Sequence, residues 1–149
     1  MKLQNLNFEI ETDTELALEN VVGRLKTLLK APDILFLNGE MASGKTTLVR
    51  NLSESFGLQM VQSPTYAIHQ RYQNQDIKID HLDLYRIENE EQLETVGLWD
   101  LFQEKDNLIL IEWADRLDEK SYPLDRRIFQ LQINVLESSK RLYQLFQLT

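Results

Sequence analysis

The segment Gly39-Glu40-Met41-Ala42-Ser43-Gly44-Lys45-Thr46 places two glycines, a lysine and a hydroxyl residue at the spacing G-x-x-x-x-G-K-[ST]. That spacing suits a triphosphate, whose several negative charges must be held with little help from water. Successive backbone N–H groups of a tight loop form a nest for phosphate oxygens. The start of a following helix adds unpaired donors and a partial positive charge. Gly39 and Gly44 allow backbone angles and a close approach that a β-carbon would obstruct. In this reading Lys45 reaches the β- and γ-phosphates, the Thr46 hydroxyl binds Mg²⁺, and Thr47 donates to the α-phosphate. The whole run from Gly39 through Glu40, Met41, Ala42 and Ser43 to Thr47 is the candidate ATP-binding loop. The competing structural reading is a glycine-rich turn before an ordinary helix, with Lys45 as a solvated charge. The context favours chemistry, because the match follows an apolar strand and opens a helix.

Phosphate-bound Mg²⁺ calls for a protein acid at the end of a neighbouring strand. Leu108-Ile109-Leu110-Ile111-Glu112 supplies four apolar residues and then an acid, the shape of a Walker B segment with Glu where Asp is commoner. Glu112 is therefore a candidate metal ligand together with Thr46, or an orienter of the attacking water. Asp83, in His81-Leu82-Asp83-Leu84-Tyr85-Arg86, is a second candidate acid. Its structural alternative is a salt bridge to Arg86 or a helix cap. Thr65, in Ser63-Pro64-Thr65, occupies a place where a switch segment could respond to the γ-phosphate and Mg²⁺, and a turn hydroxyl is the alternative. Trp113 either belongs to the core or shields the reaction from water beside Glu112. His69 and His81 do not form a metal-ligand pair by spacing. Arg71, Arg86 and Arg116 read first as surface ion pairs and second as γ-phosphate partners.

These groups need a framework to bring them together. Thr12 and Glu15 fit a capping box. Leu18, Val21, Val22, Leu25, Leu28 and Leu29 then keep helical spacing, with Pro32 in the stop region. Ile34 to Leu37 reads as a buried strand, and a helix is expected from about Lys45, with Leu48, Val49, Leu52 and Phe56 inward and Gly57 at its end. Tyr66 to Tyr72 and Ile77 to Leu84 read as an antiparallel hairpin joined by Gln73-Asn74-Gln75-Asp76. Along the second strand, alternation puts Ile79, His81 and Asp83 on one face and Lys78, Asp80 and Leu82 on the other, without showing which is buried. Glu88 to Val96 reads as a short helix closed by Gly97, and Leu108 to Ile111 as a parallel central strand. Arg127 to Val135 and Arg141 to Leu148 form a final pair of strands. The expected architecture is one α/β domain over residues 1–149. It is a three-layer P-loop NTPase fold with a mixed, mostly parallel central sheet and an antiparallel hairpin.

The composition fits that class. The chain has 149 residues, 42% hydrophobic and 27% charged, and no cysteine, which excludes disulfides and thiolate metal sites. A formal net charge of -8 repels nucleic-acid phosphates, so strong autonomous RNA or DNA binding is not expected. No apolar run reaches membrane-spanning length. The first residues lack the apolar core of a secretory signal, and the expectation is a cytoplasmic protein with no membrane association.

GEMASGKTTLVRNL, VQSPTYAI, HLDLYRIENEEQLETVGL and IEWADRL, in this order and followed by Pro123 and a closing strand pair, resemble the TsaE (YjeE) family of small bacterial ATPases. The resemblance spans roughly Thr14 to Leu145. It implies a part in making the threonylcarbamoyl modification of the adenosine next to the anticodon. It also implies ATP hydrolysis on the TsaB–TsaD heterodimer, weak in isolation and promoted by those partners. Carried over, it makes Lys45 and Thr46 the phosphate and Mg²⁺ residues and Glu112 the metal ligand. Asp83 becomes the catalytic or metal-organising acid, Thr65 the switch threonine and Trp113 a functional tryptophan. Ala42 departs from the family, which usually has glycine there. If that position needs φ > 0, alanine strains the loop by roughly 1 kcal/mol or more. Two other functions compete: a P-loop kinase for a nucleotide or metabolite, and a nucleotide-sensing module without turnover.

Overall fold

Strand β2 (Ile34–Gly39) is apolar on both faces because both faces are covered. Leu35 and Leu37 point into one core and Ile34 and Phe36 into the other, as period-two alternation requires. β5 (Leu108–Glu112) does the same, with Leu108 and Leu110 on the first side and Ile109 and Ile111 on the second. The computed structural model describes residues 5–59, 68–137 and 139–149.

The other elements are β1 (Asn5–Thr12), α1 (Glu15–Leu28), α2 (Lys45–Ser55), β3 (His69–Gln73), β4 (Lys78–Asp83), α3 (Glu90–Thr95), α4 (Leu98–Gln103), β6 (Ile128–Val135) and β7 (Arg141–Gln147). The seven strands form one sheet in the order β1-β7-β6-β2-β5-β4-β3. The central pairings of β2 with β5 and β6, and of β4 with β5, are parallel. The outer pairings β1–β7, β6–β7 and β3–β4 are antiparallel. Helices α1 and α2 cover one face through Val21, Leu25, Leu48 and Leu52. α3 and α4 cover the other through Leu93, Leu98 and Phe102. This is the expected three-layer α/β fold with a mixed sheet and an antiparallel hairpin.

Several local expectations change. The cap of α1 is Thr14, whose hydroxyl accepts the Ala17 N–H at 3.1 Å. Thr12 instead ends β1, paired with Arg141. The hairpin strand expected from Tyr66 is described only from His69, and its partner β4 ends at Asp83 rather than Leu84. The turn closes as Asn74 Oδ1 accepts the N–H groups of Asp76 and Ile77. The helix expected over Glu88–Val96 is shorter, with Asn89 as its N-cap. Gly97, at φ 81°, ends α3 and opens α4, a helix not foreseen from the sequence. Among the described residues no helix is long and apolar enough to cross a membrane.

Candidate active site

Parallel alignment brings the carboxy-terminal ends of β2, β5 and β4 to one edge, where open α/β sheets bind their ligands. Gly39 ends β2, Glu112 ends β5 and Asp83 ends β4. Leu37 and Asp83 are the register partners of Glu112 on its two sides. A cavity of about 340 Å³ lies there, lined by Gly44, Lys45, Thr46, Asp83, Glu112 and Trp113, with Met41, Ala42, Thr47 and Tyr85 around them. A groove of about 490 Å³ between α1 and α2 also reaches Thr47 but gathers no lysine or arginine.

The phosphate-loop segment is bent by Ala42 at φ 63° and Gly44 at φ 107°. Gly44 caps α2 with no side-chain hydrogen bond, and the first turn of α2 carries no acid. The first N–H groups of a helix have no partner inside it, so these donors suit an anion. Gly39 is needed for contact rather than for its backbone angle. A β-carbon there would lie 2.7 Å from Ser43 Oγ and 2.8 Å from the Ile133 carbonyl oxygen. Lys45 is buried, donates to the Gly39 carbonyl at 2.7 Å and sits 4.0 Å from the Trp113 ring centroid. Burial lowers its pKa against the opposing pull of Glu112, Asp83 and Asp115. An ammonium has three donors, so Lys45 keeps capacity for an incoming acceptor.

The acids differ from each other. Glu112 is buried, and one of its oxygens meets His81 Nε2 at 2.7 Å. Asp83 is half-buried and accepts the Tyr85 N–H at 3.0 Å. Burial, reinforced by the charge of Glu112, raises its pKa above the usual carboxylate range despite that bond. Two adjacent carboxylates, one of them disfavoured as an anion, suit a cation. Among the described residues no cluster of three or more His, Asp or Glu could hold a metal ion alone. The donor set of one hydroxyl and one or two carboxylates fits a Mg²⁺ that shares its shell with phosphate oxygens and water.

A family model for the threonylcarbamoyl adenosine biosynthesis protein TsaE matches residues 12–143. The chain belongs to the TsaE family. A tRNA threonylcarbamoyladenosine biosynthesis protein TsaE of Haemophilus influenzae is 40% identical over 84 residues, 56% of this chain and 52% of that protein, so the match spans about half of that relative's length. The Rickettsia typhi TsaE protein is 30% identical over 142 residues, 94% of this chain and 91% of that one. A crystal structure of Bacillus subtilis YdiB shares the fold, with TM-score 0.75 and 20% sequence identity over 98% of this chain and 89% of that one. Membership in TsaE ties the chain to tRNA threonylcarbamoyladenosine biosynthesis.

Against that family background, Lys45, Thr46, Asp83, Glu112 and Trp113 line one cavity. Thr65 lies outside the described residues. Asp83 makes no described ion pair with Arg86; its partner is the local Tyr85 amide. Arg71 pairs with Asp80 and Glu104, and Arg116 donates to the Tyr85 carbonyl. Trp113 joins the partly buried rim of the second core, yet it stands at φ 60° with its ring beneath Lys45 and 5.0 Å from the Tyr85 ring. Two contributors were missed by sequence reasoning. His81, fully buried, holds Glu112; its place on the Asp83 face of β4 was the available signal. Tyr85 lines the cavity while 44% exposed, and nothing in its spacing announced that.

Proposed function

We propose that this TsaE chain binds Mg–ATP in the cavity beside Gly44 and hydrolyses it for tRNA threonylcarbamoyladenosine biosynthesis, acting on the TsaB–TsaD heterodimer. The observation that carries the reading is the convergence of Lys45, Thr46, Asp83 and Glu112 from three separate elements on one cavity. The loop N–H groups hold the β-phosphate, and Lys45 leaves the Gly39 carbonyl for the β- and γ-phosphate oxygens. Thr46 Oγ1 and Glu112 would hold Mg²⁺, which would supply positive charge to neutralise those phosphates. The hydrogen bond from His81 keeps one Glu112 oxygen occupied and so orients the other. Asp83, more basic than an ordinary carboxylate, accepts a hydrogen bond from the attacking water and aligns it. Trp113 and Tyr85 exclude bulk water from that side. The reading carries with it a cytoplasmic setting, weak activity in isolation and no strong tRNA binding by this chain alone.

The test is phosphate release from ATP with and without TsaB–TsaD, on wild type and Asp83→Ala. Slow release alone, acceleration by the heterodimer and loss in the variant are expected. Transfer of the γ-phosphate to a small hydroxyl acceptor at a higher rate would point to a kinase. No cleavage in a single turnover inside the assembled complex would point to a sensor.

A further inference from the structure

The Ser43–Gly44 peptide is gripped from outside its own loop. Arg141, the first residue of β7, donates its Nε–H to the Ser43 carbonyl oxygen at 3.1 Å, across 98 residues of sequence. The same guanidinium is braced on the carbonyl oxygens of Glu137 and Lys140 in the β6–β7 connection. In a trans peptide the carbonyl and the following N–H point in opposite directions. Holding the Ser43 oxygen toward β7 therefore turns the Gly44 N–H away from β7, and Gly44 lines the catalytic cavity. We infer that Arg141 is a positioning residue that locks this peptide in the orientation presenting the Gly44 N–H to a phosphate. The inference rests on the phosphate-loop reading above.

Local structure does not supply the lock. Rotating this peptide changes ψ of Ser43 and φ of Gly44, and glycine takes either sign of φ with similar ease. The space around Gly44 is open: a β-carbon there would meet nothing within 4 Å. The Ser43 hydroxyl is buried without a hydrogen-bond partner and contributes no restraint of that kind. Ala42 at φ 63° adds a strained neighbour, and relief of that strain would favour turning the loop peptides. A charged donor on the Ser43 carbonyl, anchored in a sheet hairpin, opposes it. The rival account is that Arg141 acts as a second positive charge for the phosphates. Lysine would preserve that charge but not the Nε–H geometry.

The experiment is ADP binding by calorimetry on wild type, Arg141→Met and Arg141→Lys, with the Gly44 amide followed in ¹H–¹⁵N spectra. Both variants should bind ADP about tenfold more weakly while melting within a few degrees of wild type. The wild-type Gly44 amide proton should move downfield on ADP addition, and that shift should shrink in both variants. Wild-type affinity in Arg141→Lys beside a loss in Arg141→Met would overturn the lock in favour of charge. Wild-type affinity in both variants would overturn it as well. A wild-type Gly44 resonance indifferent to bound ADP would do so without any variant, even if the substitutions impair folding. Failure of the wild-type protein to take up ADP at all would instead sink the phosphate-loop reading.

Discussion

At the amino-terminal end of the parallel strands, the buried charged groups Asp33, Asp80 and Arg126 are met several times over, whereas at the carboxy-terminal end polar groups are left short of partners. Asp80 is fully buried and receives His69, Arg71 and Asn107. Burial pushes its pKa up, yet those hydrogen bonds outweigh burial and hold it down at about 2. Arg126 donates to the carbonyls of Leu101, Phe102, Pro32 and Asn107 and to the Asn107 side chain, and Arg127 grips Asp33 through both of its oxygens. At the other end His81 Nδ1 and Ser43 Oγ have no partner, Asp83 is raised, Lys45 is lowered, and Ala42 and Trp113 stand at positive φ. One end holds the fold together. The other keeps unspent hydrogen-bonding capacity and strain for a ligand.

The largest effect should come from the saturated end. Arg126→Met strands several buried carbonyls and should cost about 3–5 kcal/mol; calorimetry should show the melting midpoint falling on the order of 10 °C. A midpoint near wild type would break the contrast. At the other end, Lys45→Ala should cut ATP turnover by roughly a hundredfold to a thousandfold, with a midpoint no lower than wild type by more than a few degrees. The two aspartates should differ in sign. Asp80→Asn should destabilise at neutral pH, and Asp83→Asn should melt at or above wild type while losing turnover. The Asp80 contribution has a definite pH window. Its folded pKa lies below the ordinary 3.8, so its stabilisation is complete above about pH 4 and is lost as pH falls through about 2. Acid titration should show that component in wild type and not in Asp80→Asn. The smallest effect is Ala42→Gly, which relieves the positive φ and should add about 1 kcal/mol or less; an unchanged midpoint would mean the strain is absorbed elsewhere.

The candidate phosphate loop and its neighbouring acids were legible because the chemistry proposed for them demands fixed residue types at fixed spacing, and because β2 and β5 are apolar on both faces. Elements lacking those constraints were not. β1 buries only Phe8 and Thr12 fully and lies at the sheet edge, so its weak alternation was overlooked. Thr12 and Thr14 compete as caps within one short polar run, and pairing with β7 decides against Thr12. Gly97 looked like a helix stop, and it is one; the same left-handed residue also begins α4. The face of β4 was ambiguous because both faces are buried, one polar residue on each being satisfied by a hydrogen bond to a partner distant in sequence. Asp80 by Asn107 and His81 by Glu112 are such pairs, and only the folded sheet reveals them.

The reach from Ser43 to Arg141 also bears on how the molecule is made. β2 takes its neighbours from β5 and β6, and its phosphate loop takes its brace from β7. During translation the loop emerges first and waits, without sheet neighbours, until those strands have followed it out of the ribosome. On the proposed reading, nucleotide would find its loop fully framed only after β5, β6 and β7 have joined the sheet, so binding of ATP would be a late event in the making of the molecule.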